Sequence, residues 1–196
     1  MAPAGAKIVI FGGSFDPVHY GHLALARSAY LRVRPNTIFF LPARVPPHKK
    51  RLHSAVPHRL AMLRIALAGI QNYEISCFEL QRKKTTFTST AIDHFKTIYP
   101  SAHIYFLIGS DSLHDMHTWH LGHTLLRRAT FIVGQRPDDA DHASIKKYYS
   151  RCIVLRKRMP GISASDIRRK IKQGKSIQGL TPDTVRRYIE THGLYR

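Results

Sequence analysis

Lys7-Ile-Val-Ile-Phe11 runs directly into Gly12-Gly-Ser-Phe-Asp-Pro-Val-His-Tyr-Gly-His22. A β-prone run ends on a glycine pair, and Leu23, Ala26, Tyr30 and Val33 then recur at helical spacing. The stretch predicts a strand-to-helix junction. Gly12 and Gly13 are expected to adopt positive φ, so that a ligand can approach without a Cβ in the way. The helix supplies free N–H groups and the positive end of its dipole to an anion. His19 and His22 are three positions apart, so on the first turn their imidazoles share one face. Asp16-Pro17 holds the turn before them. Taken singly, the glycine pair is an ordinary tight turn and each histidine an ordinary surface or packing residue; together they describe a phosphate site.

Further β-rich runs follow at Thr37 to Leu41, Tyr73 to Phe78, His103 to Ile108, Thr130 to Gly134 and Cys152 to Leu155. They do not alternate strictly, which suits a parallel sheet covered on both faces. Helix-length segments lie between them, including Leu23 to Val33, His58 to Gly69 and Thr90 to Tyr99. The alternation predicts a right-handed α/β fold whose ligands gather beyond the carboxyl ends of the strands. After Leu155 the chain reads as helical, over Ser165 to Gln173 and Thr181 to His192. One domain is expected over 1–196, with an α/β core over 1–156 and a helical part over 157–196. The proline-rich, basic stretch from Pro42 to Pro57 reads as a long loop at the ligand edge.

Lys and Arg number 31 against 12 Asp and Glu, a net charge of +19, so the partners are anionic. Charge alone does not separate a nucleotide enzyme from a nucleic-acid binder. No stretch approaches the length of a membrane span, and residues 1–7 lack a signal-peptide core, which predicts a cytoplasmic protein with no membrane partner. Cys77 and Cys152 form no CxxC pair and are expected to be two buried free thiols.

A second phosphate signal is Gly161-Ile-Ser-Ala-Ser-Asp-Ile-Arg168. Ser163 or Ser165 can cap a helix whose first turn holds Arg168 and Arg169, although cations there oppose the dipole. An anion bound to both the amides and a guanidinium resolves the conflict; arginines that point away into solvent do so equally well. Gly109-Ser-Asp111 follows a strand, which puts Asp111 at the ligand edge, eight residues before Trp119. Two apparent motifs carry no function. Gly174-Lys175-Ser176 lacks the earlier glycine of a P-loop, where Arg169 stands. His114, His117, His120 and His123, spaced by three on a helix, would fan round its axis, and no metal site is expected.

The run from Gly12 to His22 resembles the HxGH signature of the nucleotidyltransferase superfamily, in the GG[ST]FDPxHxGH form of the nicotinate mononucleotide adenylyltransferases. Other stretches resemble the same family. Phe39 to Lys49 is similar to its FxPxxxPPHK loop, and Glu79-Leu-Gln-Arg82 with Thr86-Phe-Thr88 to its ELxR and SYT elements, Phe87 replacing the usual tyrosine. Ile162 to Arg168 is similar to ISSTxIR, with Ala164 and Ser165 where Ser and Thr are usual, and Tyr188 to Tyr195 to YIxxxGLY. The resemblance implies a Rossmann-like doubly wound parallel sheet with a C-terminal helical appendage. It implies transfer of the adenylyl group of ATP, carrying Mg2+, to nicotinate mononucleotide, giving pyrophosphate and nicotinate adenine dinucleotide in NAD biosynthesis.

On this resemblance His19, His22 and Arg168 are the catalytic set. ATP is held by Gly12, Gly13, Ser14, Phe15, Gly21, Gly109, Asp111, Ser163, Ser165 and Ile167 together with them. Nicotinate mononucleotide is held by Asp16, His48, Lys49, Phe87, Thr88, Asp111, Trp119 and Arg136, with Trp119 stacked on the pyridine ring. Related enzymes prefer nicotinamide mononucleotide or transfer adenylyl or cytidylyl groups to other phosphates. Class I aminoacyl-tRNA synthetases share an HxGH, but this chain has no KMSKS-type loop and is far shorter. A basic nucleic-acid-binding protein on this fold is the alternative of another class, and no RNP, KH or zinc-finger pattern accompanies the charge. A homo-oligomer is compatible with the sequence.

Overall fold

A computed structural model describes residues 5–44, 52–82, 86–135, 151–155 and 159–196. His48, Lys49 and Arg136 lie outside the described residues. Six strands form one sheet: β1 (Lys7–Gly13), β2 (Thr37–Pro42), β3 (Tyr73–Ile75), β4 (His103–Gly109), β5 (Thr130–Gly134) and β6 (Cys152–Leu155). Every pairing is parallel and the order is β3-β2-β1-β4-β5-β6. All six predicted runs contribute, with β3 shortened at its end because pairing stops at Phe40 and Ile75 on the sheet edge.

The strands are apolar on both faces, and successive side chains divide between two cores. Val9, Phe11, Ile38, Phe40 and Leu107 point to one, and Ile8, Ile10, Phe39, Leu41 and Phe106 to the other. The first core is covered by α1 (Tyr20–Val33), through Leu25, Ala26, Ala29 and Val33, and by α2 (Val56–Leu67), through Met62, Leu63, Ala66 and Leu67. The late helices α6 (Ala164–Lys172) and α7 (Asp183–Thr191) insert Ile167, Val185 and Ile189 into this same core. The second core is covered by α3 (Thr88–Ile98), α4 (Ser110–His114), a 3-10 turn (Asp115–Thr118) and α5 (Gly122–Arg128). The chain that leaves β1 therefore crosses one face, and the chain that leaves β4 crosses the other. Neighbouring strands whose connections diverge leave a crevice between their carboxyl ends.

Three expectations change at this level. Of the stretch expected to be a loop, Pro42 closes β2, Val56 and Pro57 belong to the first turn of α2, where a missing N–H costs nothing, and 45–51 lie outside the described residues. The histidines from 114 to 123 do not share one helix: α4, the 3-10 turn and α5 divide that stretch. Cys77 and Cys152 are free thiols but only half-buried.

Candidate active site

The carboxyl ends of β1 and β4 open onto a cavity of about 770 Å³. Gly12, Gly13 and Ser14 form its floor on one side, and Gly109 and Asp111 on the other. His19, Gly21 and His22 line one flank together with Ser163, Ser165 and Arg168. Phe87, Thr88 and Trp119 line the opposite flank.

The two glycines after β1 do not take positive φ; they remain in the strand, and the left-handed residue is Phe15, at φ 46°. A side chain in that region costs about 1–2 kcal/mol, which burial of the ring offsets. Phe15 is wholly buried, with its ring centroid 5.0 Å from that of His22, 5.5 Å from Phe11 and 5.6 Å from Phe40. Its side chain is therefore a core wedge beneath the loop and not part of the ATP surface. Gly13 is needed because of it, since a Cβ there would lie 3.0–3.2 Å from the Phe15 ring.

His19 occupies the cap position of α1 and His22 the third helical position. Their rings stack at 3.7 Å, and the His19 N–H donates to Nδ1 of His22 at 3.3 Å. An accepting Nδ1 carries no proton, so neutral His22 bears its proton on Nε2, which becomes the ring's donor. Gly21 permits this fold-back. A Cβ there would stand 2.9 Å from Nδ1 of His19 and 3.1 Å from the Ile162 carbonyl. The spacing H-x-G-H thus has a steric reason: the first imidazole lies over the residue before the second.

On the same flank, Ser163 and not Ser165 caps α6, accepting the Asp166 N–H at 3.1 Å and donating to Oδ2 of Asp166 at 2.7 Å. The two arginines of the first turns separate. Arg169 pairs with Asp166 in solvent, while Arg168 donates to the backbone carbonyl of Asp16 at 2.7 Å and to Oγ of Ser165 at 3.1 Å, and lines the cavity. Ile167 is wholly buried in the core, and its N–H is spent on the Ser163 carbonyl, so it offers nothing to ATP.

The Asp16 carboxylate does not reach the cavity. It is 1% exposed and accepts from the N–H of His53 at 2.8 Å, the N–H of Ser54 at 3.4 Å, Oγ of Ser54 at 2.5 Å and the Tyr195 hydroxyl at 2.7 Å. Four donors fill its lone pairs, so the expected contact with the mononucleotide is replaced by a structural knot. Arg59, also 1% exposed, straps the same loop from below by donating to the carbonyls of Ser14 at 2.8 Å and Arg44 at 3.3 Å. These bonds engage two of the loop's carbonyl oxygens inside the fold.

The opposite flank starts at the N-terminus of α3. The first helical bond there runs from the Ala91 N–H to the Phe87 carbonyl, so the amides of Thr88, Ser89 and Thr90 precede it. Phe87 stacks on His120 at 4.5 Å, and Oγ of Ser89 lies 3.3 Å from Nδ1 of His120. Sequence reasoning placed His120 only in the histidine series and missed Glu79 and Thr86, which also line the cavity. Burial pushes the Glu79 carboxyl up to about 7, so it is about half protonated near neutral pH. Among the described residues no cluster of three His, Cys, Asp or Glu could hold a metal ion, and no helix is long and apolar enough to cross a membrane.

Residues 10–170 match the cytidylyltransferase-like family. A Carboxydothermus hydrogenoformans protein described as a probable nicotinate-nucleotide adenylyltransferase is 37% identical over 200 residues, covering 98% of this chain and 100% of that one. An Endomicrobium trichonymphae protein of the same description is 36% identical over 191 residues, covering 97% and 99%. Among solved structures, the Plasmodium falciparum nicotinic acid mononucleotide adenylyltransferase complexed with NaAD aligns with a TM-score of 0.80 at 25% identity, over 97% of each chain.

Proposed function

The chain belongs to the cytidylyltransferase-like family, and we propose that it is a cytoplasmic enzyme that transfers the adenylyl group of ATP to nicotinate mononucleotide. A 5′-phosphate oxygen of the mononucleotide attacks the α-phosphorus in line, and the bond from that phosphorus to the bridging oxygen of the β-phosphate breaks. Pyrophosphate leaves and nicotinate adenine dinucleotide remains. The attacking phosphate is already ionised, so no protein nucleophile or base is required. Catalysis consists of alignment and of neutralising charge that grows on the α-phosphate and the leaving group.

The observation that carries this reading is a single cavity with two unlike flanks. His19 and His22 are assigned to the α- and β-phosphates, with Nε2 of His22 donating. Arg168 and the start of α6 are assigned to the β- and γ-phosphates. Mg2+ would enter on ATP, as part of the substrate, and offset phosphate charge. Gly12, Gly13, Ser14, Gly21, Gly109 and Asp111 complete the ATP side. On the other flank the pyridine ring stacks on Trp119, and its carboxylate meets the positive end of α3 at Phe87 and Thr88. Burial raises the Glu79 carboxyl to about 7, so about half of it is protonated at neutral pH and the negative charge on that wall is reduced. A carboxylate gains a charge-assisted bond there that an amide lacks, worth about 1.5–3 kcal/mol, or roughly 10- to 100-fold.

Pyrophosphate release with ATP, Mg2+ and a panel of mononucleotides tests the proposal. Turnover with nicotinate mononucleotide is expected to exceed that with the nicotinamide form by that factor. Equal rates overturn the choice of acid; no release with any acceptor overturns the reaction.

A further inference from the structure

The buried Asp16 carboxylate and the Arg168 guanidinium are neighbours that do not form an ion pair. Arg168 donates to the backbone carbonyl of Asp16 at 2.7 Å, yet no salt bridge joins the two side chains. The reason lies at the other end of the chain. The hydroxyls of Tyr195 and Ser54 donate to Oδ1 of Asp16 at 2.7 and 2.5 Å, and two backbone N–H groups occupy Oδ2. Tyr195 is delivered there by the stop of α7. The Gly193 N–H donates to the Glu190 carbonyl at 3.2 Å and the Leu194 N–H to the Ile189 carbonyl at 3.0 Å, with Gly193 at φ 58°. Burial and the Asp16 charge hold the Tyr195 phenol well above its usual range, so it remains a protonated donor.

We infer that the Tyr195 hydroxyl, seconded by Ser54, is a positioning group for nucleotidyl transfer: by filling the Asp16 carboxylate it prevents that carboxylate from capturing Arg168 and leaves the guanidinium to the polyphosphate. This rests on the assignment of Arg168 proposed above. A buried carboxylate that loses a donor must find another, and a cation is the strongest replacement in a low-dielectric setting. Arg168 is within reach, already bonded to the same residue. Drawn onto the carboxylate, it would leave the histidine flank of the cavity without its guanidinium.

Calorimetric binding of a non-hydrolysable ATP analogue, which needs no acceptor and no turnover, tests this directly. Tyr195→Phe should raise the analogue Kd by roughly tenfold and lower kcat, while the KM for the mononucleotide stays within about twofold. Ser54→Ala should act in the same direction and serves if the first variant does not fold. Tyr188→Phe removes a hydroxyl from α7, the helix that leads to Tyr195, one 3.0 Å from Nδ1 of His58 and not bonded to Asp16, and should bind the analogue as the parent does. Wild-type affinity in Tyr195→Phe overturns the inference. So does a loss shared by both substrates or matched by Tyr188→Phe, since either result marks a merely structural bond. Absence of pyrophosphate release by the parent protein would instead overturn the proposed reaction, and the two failures are read from separate measurements.

Discussion

On the flank that carries His19, His22 and Arg168, polar side chains are held by bonds spanning 152 and 179 positions of sequence, from Arg168 and Tyr195 to Asp16. The flank of Phe87, Thr88, Trp119 and His120 is built from the start of α3, a five-residue helix, a four-residue 3-10 turn and the chain just beyond it. Its described bond between segments is the one from Ser89 to His120, 31 positions apart, beside one aromatic stack. Their carboxyls differ in the same way: Asp16 has four donors, whereas among the described residues no side-chain bond reaches Glu79 and burial alone governs its charge. Charge development in a transition state rewards donors that need not reorganise, and under the proposed reaction the cross-tied flank is the one suited to provide them. Recognition of a flat ring needs area and a face, which short elements supply with less constraint.

If this contrast is right, damage to the first flank appears in kcat and damage to the second in KM. His22→Ala should reduce kcat by about 10²- to 10³-fold, the usual loss for one transition-state donor, and turnover near the parent's in a steady-state assay would break the comparison. Gly21→Ala should lower kcat by roughly 10- to 100-fold with unchanged mononucleotide KM. Its Cβ must displace the His19 ring or the Ile162 carbonyl, and a kinetic profile equal to the parent's would show that the fold-back of His19 is unimportant. Trp119→Ala should raise the mononucleotide KM about tenfold through lost stacking, with the KM for ATP unaffected. A matching change in both KM values would show that the flanks are not independent.

The smallest effect concerns Glu79. Its folded-state value of about 7 lies above the ordinary 4.5, so the folded protein binds the extra proton and loses stability as pH rises from about 4.5 to 7. Glu79→Gln removes this loss. Thermal melts should show the variant more stable at pH 8, by at most about 3 kcal/mol, with the gap closing toward pH 4.5. A gap that is constant across pH would mean that the carboxyl is not held by burial.

Which of these residues could be read in advance follows their chemistry. His19, His22, Ser163 and Arg168 were legible because caps, helix starts and spacing are local patterns. Phe15, Asp16 and Ile167 stand inside the same motifs but turn inward, and nothing local distinguishes a motif residue that touches a ligand from one that supports it. The positive φ expected of Gly12 and Gly13 belongs to Phe15, because a buried aromatic contact outweighs a local backbone preference. Glu79 stood in a recognisable element and His120 in the histidine series, but neither pattern pointed to the site, since their place in the cavity comes from how α3 and the segments after β4 meet.

The amino-acid sequence by itself determined the six strands, the helices between them and the starts of α1 and α6, because apolar periodicity, capping and glycine placement act within a few residues. The tertiary structure alone decided that the last turn of the chain closes over the loop after β1, that Tyr195 and Ser54 meet at Asp16, and that Arg168 faces inward while Arg169 faces solvent. Those outcomes depend on which distant donor fills which buried acceptor, and that matching is defined only once the sheet and both of its faces are in place.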